Sequence, residues 1–175
     1  MLFYFNINFE FQRTFKLHIM KDFIIEKLYE WSRVPYQKYM KKNKPWDISK
    51  EELLAFPTGS LGNGIGNFLE RNNFDVQEKL EDHDVIHVLT NTGITVKDEI
   101  GMQYYLLGNQ KKSLYLFLVI ISGTLFYPTQ INYFFNEYRK GKQALPFHYL
   151  DFQKMLLVPI QSIQNTFKIK KYENH

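Results

Sequence analysis

His83-Asp84-Val85-Ile86-His87 places two of the chain's five histidines four residues apart, with a carboxylate beside the first. On a helix, at about 100° per residue, Asp84 lies about 100° and His87 about 40° from His83. All three share one sector, while Val85, Val88 and Leu89 fall opposite and can anchor the helix in a core. Eleven residues separate His87 from Glu99. A turn at Asn91 to Thr95 between two helices folds the start of the second beside the end of the first, and so carries that carboxylate to the histidines.

Two neutral imidazoles and two carboxylates around a dication form a formally neutral site, far cheaper to bury than an unpaired charge. Zinc is the natural ion for such donors; iron or manganese also accepts them. The spacing alone fits equally a pair of hydrogen-bonded histidines on an acidic helix, since Glu78, Glu81 and Asp82 stand beside them. Two hydrolytic readings are weaker. Zinc metalloproteases put a glutamate after the first histidine as general base, where this chain has Asp84, one methylene shorter. A phosphohydrolase site of the His…His-Asp…Asp kind needs an upstream histidine, and His18 is the only one.

The 175 residues hold no cysteine, so disulfides, thiolate nucleophiles, Cys-ligated zinc and iron–sulfur clusters are excluded. The formal net charge is +4 and the basic residues are scattered, a pattern that does not argue for nucleic acid. Aromatic residues make up 17% of the chain, which suits a greasy ligand or a lipid surface.

The elements that must position the motif read as helices. Ser49 followed by Glu52 is a capping box for a helix from Lys50 to about Phe56. A turn from Phe56 to Gly62 feeds another, with Leu61, Ile65, Phe68 and Leu69 on one face. Gly62, Gly64 and Gly66 on that helix imply that something packs closely against its backbone. Further helices are expected at Asp75 to Asn91 and Val96 to Leu107, with Gly93 and Gly108 as terminal glycines. Leu114 to Tyr127 reads as a buried helix, being shorter than the about 20 residues that span a bilayer. Thr129 to Lys140 is amphipathic and Gly141 should stop it; Tyr149 to Phe167 should be kinked or split at Pro159. The fold expected is all-α, a single mostly helical domain of about seven or eight helices covering residues 20–175. Residues 1–19, with Phe3, Phe5, Ile7, Phe9 and Phe11 alternating, read either as an extension preceding a natural start at Met20 or as an N-terminal strand or membrane-touching arm.

His83-Asp84-x-x-His87, eleven residues, then Glu99 resembles the metal motif of the Coq-four family of ubiquinone (coenzyme Q) biosynthesis. Phe56-Pro57-Thr58-Gly59-Ser60-Leu61-Gly62 with Phe68-Leu69 is similar to that family's Leu-Pro-x-Gly-Ser-Leu-Gly segment. Tyr138-Arg139-Lys140-Gly141-Lys142 and the closing helix follow in the family's order, so the resemblance covers about residues 50 to 170. The chain departs from the pattern at Ile65, where the family usually has Tyr, before His83, where an Arg-Tyr-Arg pattern is missing, and in its last helix, which lacks a tryptophan.

The resemblance implies a divalent metal on His83, Asp84, His87 and Glu99 and a prenylated quinone precursor or other isoprenoid lipid as ligand. It also implies work at a membrane surface with other quinone-biosynthesis enzymes, and oxidative decarboxylation of the precursor's ring. The expected protein is cytoplasmic, peripheral to the membrane and a homo-oligomer. The other reading is a non-catalytic lipid-binding or scaffold protein whose metal pins two helices. In either case the prenyl tail is expected between the Pro57 to Leu69 and Leu114 to Phe126 helices, against Leu61, Ile65, Phe68, Leu118 and Ile121. Basic clusters at Lys38 to Lys44 and Arg139 to Lys142 would face anionic lipid.

Overall fold

The computed structural model describes residues 45–78 and 81–170. Among these are seven α-helices and no strand: α1 (Lys50–Leu54), α2 (Leu61–Arg71), α3 (Glu81–Thr90), α4 (Val96–Gly108), α5 (Leu114–Phe126), α6 (Ile131–Gln143) and α7 (Ile160–Phe167). Two 3₁₀ turns, Pro128–Gln130 and Phe152–Met155, join the last three. The all-α expectation holds. The expected extension at residues 1–19, the helix after Met20 and the Lys38 to Lys44 cluster lie outside the described residues.

Side-chain caps start several of these helices. Ser49 Oγ accepts from the Glu52 amide while the Ser49 amide donates to the Glu52 carboxylate, the capping box in full. Ser60, Thr95 and Ser113 cap α2, α4 and α5 in the same way through one hydroxyl each. α1 ends before Phe56 because Pro57 disfavours helical backbone at the residue preceding it.

The three glycines of α2 meet three neighbours. A Cβ on Gly62 would stand 2.6 Å from the Phe56 ring, one on Gly64 2.4 Å from Ile160 of α7, and one on Gly66 2.7 Å from the Leu54 amide nitrogen. The segment before α7 also holds the start of α2 through its backbone, with the Leu61 and Gly62 amides donating to the Val158 and Leu156 carbonyls. Leu61, Ile65, Leu69, Val85, Leu89 and Phe152 share the core this creates. Pro159 separates the closing segment into the 3₁₀ turn and α7, which is the expected split.

Three expectations need correction. Residues 75–78 are not helical: Asp75 pairs with Lys50 at 3.0 Å and Val76 packs on the core, so this stretch carries the chain across from α2 to α3. Gly108 is the last residue of α4, as expected, but Gly93 and Gly141 do not end their helices. Left-handed backbone falls instead at Asn91 and Gln110, and α6 runs past Gly141 to Gln143. Finally, α5 is not buried, since only Leu116 and Gly123 of its 13 residues are enclosed. No single helix among the described residues is long and apolar enough to cross a membrane.

Candidate metal centre

α3 and α4 form the expected hairpin. Val85 and Leu89, both fully buried, fasten α3 into the core, and Gln164 of α7 donates to the Leu89 carbonyl at 2.8 Å. The start of α3 is held by Glu81, which accepts from the Trp46 amide at 3.1 Å. Asn91 then reverses the chain with φ 57°, and Thr95 caps α4 so that Glu99 falls in its first turn.

This geometry brings three of the four expected ligands together. His83 Nε2 lies 3.2 Å from Glu99 Oε2 and His87 Nε2 lies 3.1 Å from Glu99 Oε1. One donor atom from each of His83, His87 and Glu99 falls within 4.8 Å of the others, a group able to hold a metal ion. Asp84 borders this group from the other side of His83, with Oδ1 3.7 Å from Nδ1.

All four imidazole nitrogens face oxygen acceptors. His87 Nδ1 is 3.2 Å from the Thr92 carbonyl, so an N–H there leaves Nε2 as the atom turned to Glu99. Two neutral imidazoles carry only two N–H groups, which leaves further positive charge to be supplied by protons or by a cation. Burial opposes a charge on His83, yet Glu99 and Asp84 outweigh it and hold its pKa up at about 9. Burial likewise favours a neutral Glu99, but the charge and hydrogen bonds of His83 and His87 keep this carboxyl well below the usual range. A nitrogen, nitrogen and carboxylate donor set with this excess of acceptors fits a divalent ion.

Behind the donors, Thr90 Oγ1 donates to the Ile86 carbonyl and is hydrogen-bonded to the Thr92 hydroxyl, which fixes the turn that presents the Thr92 carbonyl to His87. Sequence reasoning missed this support, although the Thr-Asn-Thr-Gly run after the motif was the available signal. The Phe68 ring stacks on His87 at 5.1 Å with 15° between planes, and Phe74 meets Phe68 edge-on at 6.3 Å. The site therefore has an apolar flank next to partly exposed donors: His87 is buried, whereas the His83 and Glu99 side chains are 22% and 23% exposed.

The five residues expected along a prenyl tail do not line one channel. Leu61, Ile65 and Phe68 are buried in the core, Phe68 against the site; Leu118 and Ile121 face outward from α5. Gly62, Gly64 and Gly66, next to Leu61 and Ile65 in α2, are covered by Phe56, Ile160, Val88 and the α1 backbone.

No family model and no curated protein matches the chain. Among solved structures it is similar to the crystal structure of a candidate ubiquinone biosynthesis protein from Nostoc punctiforme PCC 73102, with 17% identity and a TM-score of 0.59. That likeness covers 86% of this chain and 81% of the other. At this identity the likeness shows a shared helical fold.

Proposed function

We propose that the protein acts in ubiquinone-type quinone biosynthesis, holding a divalent metal on His83, His87 and Glu99, with Asp84 at His83 Nδ1 able to turn in as a fourth donor, next to a prenylated aromatic precursor. The convergence of His83 Nε2, His87 Nε2 and the Glu99 carboxylate carries this reading. The fold shared with a protein described as a candidate in ubiquinone biosynthesis supports it from an independent direction, as does the order of the sequence motifs. Zinc suits the donors best, with iron or manganese as the alternatives.

The ion would supply Lewis acidity toward a ring carboxylate or hydroxyl and, if iron or manganese, a redox centre. The chain's own residues bind and orient. Thr92 holds His87 in one tautomer, Phe68 presents an apolar wall, and the exposed sides of His83 and Glu99 leave an approach for an acidic ring. That open side favours an enzyme over a pin between helices, because a structural site is closed to ligands. Oxidative decarboxylation of the ring is the reaction class within this proposal; it would need iron or manganese in the site and an external two-electron oxidant, since zinc has no redox chemistry.

The test is elemental analysis with lipid mass spectrometry on untagged protein purified without chelator. About one metal per chain and a co-purifying prenylated phenol or quinone are expected. Metal content unchanged in His87→Ala would overturn the site, and protein with metal but no affinity for prenylated hydroxybenzoates would overturn the substrate.

A further inference from the structure

The outward face of α5 is apolar along its whole length. Leu114, Phe117, Leu118, Ile121 and Leu125 are 62%, 42%, 57%, 66% and 75% exposed. At about 100° per residue these five fall within a sector of roughly 100°. Leu116 and Gly123, the buried residues, fall opposite, where Gly123 sits against Ile100 of α4. The helix contains no charged residue. A helix at a water boundary normally turns a polar face outward, and this one turns out its most apolar sector. Half-exposed Phe135 of α6 continues the patch: its ring meets Tyr104 edge-on at 6.1 Å, and the Tyr104 hydroxyl is hydrogen-bonded to Thr124 on the rim of the stripe.

Charge in the flanking sequence has one sign. From Asn109 to Asn136 the chain has no Asp or Glu, and Lys111 and Lys112 stand immediately before the helix. The next carboxylate, Glu137, is buried and paired with Lys140 at 2.8 Å.

We infer that this face lies on an anionic lipid bilayer, with α5 in the plane of the interface, Leu118, Ile121 and Leu125 at the acyl boundary and Lys112 among the headgroups. Its 13 residues rise about 20 Å, short of the roughly 30 Å hydrocarbon core, so the helix rests on the bilayer and does not cross it. A second copy of the chain fits less well. Stable protein interfaces use roughly 20–30 residues a side with a polar rim, whereas this surface offers five side chains and Phe135 with basic residues at one end. The inference stands apart from the metal reading, since none of its residues is a proposed ligand.

The experiment is vesicle co-sedimentation of the full chain with phosphatidylcholine, with and without admixed phosphatidylglycerol, for wild type, Lys112→Glu and the double variant Ile121→Glu, Leu125→Glu. Wild type should sediment with the anionic vesicles. The double variant should lose at least roughly tenfold in partitioning, with an unchanged melting temperature and metal content because both positions are exposed. Lys112→Glu should bind more weakly on anionic vesicles only. Equal binding of the double variant, equal wild-type binding to neutral vesicles, or no wild-type binding at all would overturn the proposal. A dimer in sedimentation velocity that the double substitution dissolves, without vesicle binding, would also overturn it and assign the face to a second copy.

Discussion

Gly108 of α4 and Gly141 of α6 sit against each other's helix backbone. A Cβ on Gly108 would stand 2.1 Å from the Tyr138 carbonyl oxygen, and one on Gly141 would stand 1.9 Å from the Tyr105 carbonyl oxygen. Gly141 lies inside α6, which continues to Gln143, and Gly108 is the last residue of α4; neither has the left-handed backbone of a terminal turn. Together they set how closely α6 approaches the helix that carries Glu99, and α4 with α6 is the most extensive helix pairing in the described chain.

Gly141→Ala should therefore destabilise the protein by about 1–3 kcal/mol or more, since the methyl meets backbone that cannot rotate away. Alanine's better helix propensity, worth about 1 kcal/mol, works in the opposite direction and is too small to offset the clash. A fall in melting temperature checks this; an unchanged or higher value would mean that the helices can separate without cost. The same sign is expected for Gly108→Ala.

Metal binding should appear as stability. If the ion binds only the folded chain, wild type gains about 2.7 kcal/mol when free metal reaches 100 times its dissociation constant. Calorimetry with and without added zinc should show the melting temperature rising, and a chelator should reverse the rise. His87→Ala should melt at the same temperature in both conditions, because it removes a donor that points at Glu99 from 3.1 Å. A rise that persists in the variant would place the ion elsewhere.

The parts of this site that depend on near neighbours in the chain were legible from sequence. His83 and His87 share a face because they are four apart on a helix, and Glu99 joins them because the connecting turn is short. The box at Ser49 and Glu52 and the break at Pro159 are equally local. What was not legible depends on distant partners. Gly141 looks like a helix end, and Gly108 like nothing more than one, until the other helix is known, and Asp75, outside its expected helix, pairs with the distant Lys50. Apolar composition read α5 as a buried helix, but composition is the same whether a helix packs inside a protein core or turns its apolar side chains outward.

Glu137 should make stability depend on pH. Its carboxyl lies between α4 and α6 with Oε2 unpartnered, near a Tyr105 hydroxyl that is also without a partner. Burial raises its pKa, Lys140 opposes through a hydrogen bond and its charge, and Asp98 adds repulsion. A carboxyl whose pKa rises on folding binds more proton in the folded state, so its contribution falls as pH climbs through and above about 4.3. Glu137→Gln removes that slope. Relative to wild type the variant should gain in melting temperature from about pH 4 to pH 7, and a difference flat with pH or of opposite slope would contradict the assignment.

The two acidic residues of the motif should differ in weight. Glu99 offers one oxygen to each Nε2 of His83 and His87, whereas Asp84 approaches only His83, at Nδ1 and 3.7 Å. For Asp84 to join as a donor its side chain must turn past the His83 ring, and while it stays at Nδ1 it acts by orienting that imidazole. A carboxylate in such an orienting position typically changes metal affinity by about 10- to 100-fold. Removing a donor that spans both histidines should cost more. Titration against a chromophoric chelator should therefore rank the losses as Glu99→Gln above Asp84→Asn, with the asparagine variant still binding about one equivalent. The neutral replacements preserve volume, so circular dichroism should match wild type in both. If Asp84→Asn abolishes binding while Glu99→Gln retains it, the carboxylate at the centre of the site is Asp84, and the bound state rearranges the two helices from the geometry described for α3 and α4.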